Sequence, residues 1–370
     1  MSRTAGPGEA ITGEAGRTFP ALSHLEALLD GTGVLQHATF GVAAREHGYC
    51  LDDNARALIL AARLRERWPE LPVAGRLWAR TAAFVQHAWD PGRGVFRNFM
   101  SFDRRWLEAR GSDDSHGRAV WALGSVAGSA AADEDARNWA SWLLGEAAPR
   151  LPVLRSPRAI ALGLLGLAAA GNGGGAERWT ELAERLGGRL GEHLGDERRP
   201  GWCWFESALS YDNARLPQAL LAAGRRFGRP DWREAGLETL DWLCGVQRTE
   251  RGGFRPVGSN GFFPRGGERA LFDQQPIEAA AAVSACLEAW RWCGEERWLE
   301  RARQAHAWFT GDNDLGVALA VVATGGCRDG LHPDRVNANQ GAESTLAWLL
   351  ADGEMADAER EVTARTGRGA

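Results

Sequence analysis

Six short segments of this 370-residue chain concentrate side chains that could do chemistry together: GYCLDDNAR, GSDDSHGR, LRSPR, WCWFESALSYDNAR, LFDQQP and NANQGAES. Their acids are Asp52, Asp53, Asp113, Asp114, Glu206, Asp212, Asp273 and Glu343. Among and around these stand Arg56, His116, Arg118, Arg158, Arg215, Gln274, Gln275, Asn339 and Gln340. Paired carboxyl groups suit glycosidic cleavage, one as proton donor and one as base or nucleophile. Crowding carboxylates raises the pKa of at least one, which supplies an acid near neutral pH. Amide, guanidinium and imidazole groups give directional hydrogen bonds to hydroxyls. Aromatic rings give flat faces for sugar rings, and Trp202, Trp204, Phe205 and Phe272 stand among the acids. The chain's two tyrosines, Tyr49 and Tyr211, each lie just upstream of an Asp-Asn-Ala-Arg copy.

These segments are far apart in sequence, so the fold must gather them. Alternating strand patterns are nearly absent, while Ala, Leu, Arg and Trp recur at helical spacing. About twelve such stretches begin near Phe19, Asp53, Val73, Asp114, Glu134, Pro157, Ala176, Asp212, Asp231, Pro276, Glu295 and Ala342, separated by Gly, Pro, Asn or Asp breaks. They alternate in character. One set is charged on one face (REAGLETLDWLCGVQ), and the other is rich in Ala, Gly and Leu (PRAIALGLLGLAAAG). Small residues permit close packing, so the second set is expected inside the first. The expected fold is all-α, an (α/α)6 toroid of six hairpins. The polar segments precede the inner helices, whose entrances share one mouth. A single Asp or Ser at a helix start is also an ordinary cap. Capping needs one oxygen per helix, and it leaves the double Asp, the amides and the rings without a reason.

An internal repeat supports the ring. LDDNARAL returns as SYDNARLP, the turn GRGVFR as ERGGFR, and GSDDSHGRAV as LFDQQPIEAA. Asp53 to Asp212 spans 159 residues, Phe96 to Phe254 spans 158, and Asp113 to Asp273 spans 160. Three hairpins separate the copies, which therefore face each other across the ring. Asp114 has Gln274 at its place in the second copy, and a carboxylate present in one half only is the expected proton donor. Asp53 is the expected base or nucleophile, with Asp212 and Asp273 behind it. The remaining polar residues are expected to hold hydroxyls, and no metal or cofactor is needed.

The layout, with acidic inner-helix entrances such as LDDNAR and GSDDSHGRAVWALG, resembles the six-hairpin glycosidase superfamily over about residues 19–352. The resemblance implies a glycoside hydrolase, or a phosphorylase, acting on an oligosaccharide through an Asp or Glu at these loops. Sugar epimerases of the N-acylglucosamine 2-epimerase type share such a toroid and use histidines, for which His116, His37, His47 and His332 are available. A carbohydrate-binding toroid without catalysis is the third reading. A magnesium DDxxD motif is broken at Arg56 and at Gly117. The VQRTERGGF stretch is similar to the QW-type turns of terpene cyclases and reads as structural.

Composition narrows the rest. The chain contains no lysine, which excludes Schiff-base and P-loop lysine chemistry. Its net charge of -5 disfavours nucleic acid and anionic membranes. Six scattered cysteines, without zinc-ligand spacing, fit a reducing cytoplasm. A flexible leader is expected over residues 1–18 and a charged tail over 353–370, with no membrane span.

Overall fold

A computed structural model describes residues 11–12, 18–19, 21–173 and 176–366. Twelve α-helices occupy them: α1 (Ser23–Leu28), α2 (Leu51–Arg67), α3 (Pro72–Ala88), α4 (Asp113–Ala127), α5 (Glu134–Ala147), α6 (Pro157–Ala170), α7 (Ala176–Glu197), α8 (Arg215–Arg226), α9 (Pro230–Val246), α10 (Pro276–Cys293), α11 (Glu296–Phe309) and α12 (Ala342–Thr366). The even-numbered helices touch in sequence, and α12 returns to α2, which closes an inner ring. Helices α3, α5, α7, α9 and α11 each pack on the inner helix before them, and α1 packs on α12. This is the expected (α/α)6 toroid. No helix among the described residues is long and apolar enough to cross a membrane.

The small residues do what their positions suggest. Nearly every residue of α6 is buried. A Cβ added to Gly117 of α4 would meet the backbone of Ala159, and one added to Gly124 would meet the backbone of Gly166. Helices α4 and α6 therefore approach to backbone contact, which only glycine permits at these points.

The repeat is also structural. Arg56 pairs with Asp53, and Arg215 with Asp212, each three residues on. The side chains of Asn54 and Asn213 bond back to the backbone of Cys50 and Ser210. Helices α2 and α8, three steps apart in the ring, lie opposite one another. Their starts differ, however. Helix α2 begins at Leu51, two residues before Asp53, whereas α8 begins at Arg215 and leaves Asp212 outside the helix at φ 49°. Pro217 explains this. It has no N–H to give to a carbonyl four residues back, so it must stand in the first turn.

One boundary differs from expectation: helix α1 starts at Ser23 and is short, not at Phe19. Past residue 352 the charged segment is helical, α12 continuing to Thr366 with Met355 and Ala358 buried. Of the expected leader, Ile11–Thr12 pairs antiparallel with Thr18–Phe19, and the other residues of 1–18 lie outside the described residues.

Candidate active site

A cavity of about 570 Å³ opens at the mouth where the inner helices begin. Helix α2 brings Asp52, Asp53 and Arg56, α4 brings Asp114 and Arg118, and α12 brings Glu343. Tyr211 and Gln275 reach it from the segments before α8 and α10. These eight are sequence-predicted residues that share one cavity.

Caps set their positions. Cys50 is the N-cap of α2, its Sγ accepting from the Asp53 amide, and Ser112 caps α4 through the Ser115 amide. The acids in the first turns face the positive ends of the helix dipoles. Asp53 is buried, accepts Arg56 Nη1 at 2.8 Å through Oδ1, and accepts the Cys50 thiol at 3.1 Å through Oδ2. Burial pushes its carboxyl up to about 6, the Arg56 guanidinium limits the rise, and Glu343 adds to it. The other guanidinium nitrogen of Arg56 meets Glu343 at 2.8 Å. Asp52 is held by Arg118 at 3.1 Å and by the Asn98 amide at 3.0 Å. Asp114 is half-buried and accepts the Tyr211 hydroxyl.

Asp212 does not line the cavity but accepts from Arg118, which does. It is buried between Arg118, at 3.0 Å, and Arg215, at 3.2 Å. Burial alone would raise its pKa, but Arg215, Arg118 and Arg56 outweigh burial and hold it below the ordinary carboxylate value. Arg158 pairs with Glu206 at 2.7 Å, bonds the Tyr211 carbonyl, and stacks 4.7 Å from the Tyr211 ring. Arg215, Arg158 and Glu206 thus support residues at the cavity without lining it. Asp113 turns away, accepting the Arg155 amide at 2.8 Å and Arg110 at 3.0 Å. Asn339 accepts the Phe40 amide at 2.9 Å, and the Gln340 carbonyl meets His24 Nε2 at 2.8 Å.

Five more predicted residues stand elsewhere. Trp204 is fully buried and packs on Phe205 and Trp242, so its ring is core and not a sugar platform. His116 is buried against Trp89 and Phe96, with Nε2 3.1 Å from the Ala147 carbonyl, and burial drives its pKa down to about 4. Gln274, at Asp114's place in the repeat, is buried and bonds Trp308, Asp314 and the Leu271 carbonyl. Asp273 bonds His332, and Phe272 is half-buried outside the cavity wall.

The cavity also has walls that sequence reasoning missed. Asn98, Phe99, Asp329 and Asn337 line it, beside His37, which the sequence offers for the epimerase reading. Burial raises Asp329 above its ordinary value, although the Gly341 amide and Ser344 stabilise its anion. Asn98 directly follows the repeated GVFR turn, a position that could have marked it.

No protein-family model and no curated protein sequence matches the chain. Solved structures do match. A sugar epimerase from a ruminal bacterium aligns over 89% of this chain and 94% of its own, at TM-score 0.68 and 12% identity. The cellobiose 2-epimerase of Bacillus thermoamylovorans B4167 aligns over 90% and 96%, at 0.68 and 10%. An inactive variant of the GH76 alpha-1,6-mannanase of Salegentibacter sp. HEL1_6, in complex with alpha-1,6-mannotriose, aligns over 90% and 96%, at 0.61 and 11%. At these identities the likeness establishes the fold alone, the (α/α)6 toroid of six helical hairpins.

Proposed function

We propose that the protein is a carbohydrate-active enzyme that cleaves a glycosidic bond in an oligosaccharide. The observation that carries this reading is a set of five carboxyl groups, Asp52, Asp53, Asp114, Asp329 and Glu343, on one cavity but in unlike environments. Divergent environments are how one site keeps an acid and a base at the same pH. Asp53, buried and pushed up to about 6, is the proton donor. Asp114, on the first turn of α4 and held by Tyr211, is the base or nucleophile. These roles reverse those that the asymmetry of the repeat suggested, because burial falls on Asp53. The inactive mannanase variants in complex with alpha-1,6-mannotriose and alpha-1,6-mannotetrose carry replacements at two consecutive aspartates; this chain has one such pair, Asp52 and Asp53, on the cavity wall, and of a second, Asp113 and Asp114, only Asp114 lines it.

The charge of the cavity narrows the substrate. Five acids face the two guanidiniums of Arg56 and Arg118, and both guanidiniums are already paired with carboxylates. A neutral or amino-bearing glycan fits this field better than a uronate.

The epimerase reading needs paired histidines on the cavity. Among the described residues His37 lines it, while His116 and His332 do not.

The test is a screen of reducing-end-labelled oligosaccharides with and without phosphate. Asp53→Asn should slow cleavage of an ordinary glycoside about 10²–10⁴-fold. It should spare a dinitrophenyl glycoside, whose leaving group needs no proton, whereas Asp114→Asn should lose both. Cleavage that survives both variants overturns the reading. Interconversion of free sugars without cleavage would favour an epimerase.

A further inference from the structure

A second cavity, of about 210 Å³, lies away from the mouth, between the outer helices α9 and α11 and the inner helix α10. Cys244 of α9 and Cys286 of α10 both line it, with their sulfurs 3.8 Å apart. Arg248, Arg297 and Arg301 line the same cavity. We propose that this dithiol is a site of reversible oxidation by small hydroperoxides, closing to a Cys244–Cys286 disulfide that ties α9 to α10.

The geometry and the local charges support each part. A disulfide needs a sulfur separation of about 2.05 Å, so the two atoms must approach by about 1.8 Å. Movement of the half-buried Cys244 on the outer helix α9 can supply that approach. The thiols are also unequal. Cys244 is lowered, first by the hydrogen bond from Cys286 and then, against burial, by Arg301. Cys286 is fully buried and held up, first by that same bond and then by burial. A thiolate that accepts a bond from a neutral partner thiol is the reactive arrangement for exchange and oxidation. The other four cysteines have no partner thiol: Cys293 bonds the Ala289 carbonyl, Cys327 the Arg328 carbonyl and Cys50 the Asp53 carboxylate, while Cys203 accepts from Arg198 but is raised by burial.

The chemistry balances. The Cys244 thiolate attacks the nearer peroxide oxygen, an S–O bond forms, the O–O bond breaks, and the departing oxygen takes a proton to leave as an alcohol or water. The sulfenic acid so formed is attacked at sulfur by Cys286, whose proton leaves with the hydroxide as water. Two thiols are oxidised, and one peroxide is reduced by two electrons.

Helix α10 also supplies Ile277 to the wall of the larger cavity and Glu278 to Asn213. The bond would therefore clamp the helix whose other end borders the candidate active site.

The experiment treats the full chain with hydrogen peroxide, blocks residual thiols, and maps peptides with and without reductant. The expected result is a linked peptide pair containing Cys244 and Cys286, two thiols lost from the six, and recovery of both with dithiothreitol. Arg301→Gln should slow formation of the bond several-fold, and Cys293→Ser should leave its rate unchanged. Oxidation of Cys244 to a sulfinic acid without linkage, or linkage through another pair, overturns the proposal. Because the readout is the wild-type peptide map, neither outcome depends on glycosidic cleavage or on whether a cysteine variant folds.

Discussion

Asp212 offers the sharpest test of how the ring's polar axis is held. The exposures of the Arg118, Asp212 and Arg215 side chains are 4%, 2% and 7%, so the three ions have almost no water. Removing one partner of a buried ion pair costs about 3–5 kcal/mol, because the remaining charge loses its compensation. Here one carboxylate serves two guanidiniums, so Asp212→Asn should fall in that range. The backbone at φ 49° separates charge from conformation. Asn tolerates the left-handed region, and Ala loses about 1–2 kcal/mol there. Asp212→Ala should therefore cost about 1–2 kcal/mol more than Asp212→Asn. Urea unfolding followed by circular dichroism measures both, with Asp334→Ala on the exposed pair with Arg335 as a control expected within about 0.5 kcal/mol. The pH dependence has a definite sign. The Asp212 pKa is held below its ordinary 3.8, so its contribution is present above that pH and is lost as pH falls through the lower folded value. Wild type and Asp212→Asn should converge in strong acid. If Asp212→Asn changes the unfolding free energy by no more than the Asp334 control, the triad is solvated and the reasoning fails.

Other outcomes follow from the same physics. Burial pushes Glu278 up to about 7 from 4.5, so its stabilising contribution is present below pH 4.5 and lost as pH rises through 7. Urea midpoints should show Glu278→Gln gaining on wild type by up to about 3 kcal/mol between pH 4.5 and 8. Tyr211→Phe removes the hydroxyl that Asp114 accepts, and steady-state kinetics should show about a 10-fold loss in kcat/KM, equivalent to about 1.4 kcal/mol. Gly124→Ala forces a Cβ into the backbone of Gly166 and should lose at least about 1–3 kcal/mol. Gly188→Ala, in open space on the exposed side of α7, should gain about 1 kcal/mol. A uronate-bearing oligosaccharide should be a poorer ligand than its neutral counterpart by calorimetry, with the difference shrinking as salt rises.

The ring was legible because its signals are redundant. Ala, Leu and Gly at helical spacing mark the inner helices, and the near-constant offset of Asp53, Phe96 and Asp113 from their second copies ties the halves together. The convergence of the candidate residues was legible for a related reason: the inner helices open at one mouth, so Asp52, Asp53, Asp114 and Glu343 line one cavity without any knowledge of angles. What sequence does not carry is which way a side chain turns. Trp204 stands in a polar stretch, yet Trp242 and Phe205 cover it. Gln274 occupies Asp114's place, but Trp308 and Asp314 draw it into the wall. Asp329 was missed because its loop has no counterpart among the repeated anchors.

Position in the helix turn, rather than residue type, divides the two halves of the repeat. Both copies read Asp-Asn-Ala-Arg, and both keep the Asp–Arg ion pair and the Asn back-bond. In the first copy the Asp stands inside the first turn of α2, shares one guanidinium with Glu343, and is pushed up to about 6 by burial. In the second, Pro217 delays the helix, and the Asp drops between two guanidiniums that keep it charged. The same four residues thus furnish a protonatable group at the cavity wall and, out of the lining, a carboxylate held in its charged form by two guanidiniums. That anion holds Arg118, and Arg118 in turn holds Asp52 beside Asp53. On the proposed reading, the second copy has become the support on which the first copy does chemistry.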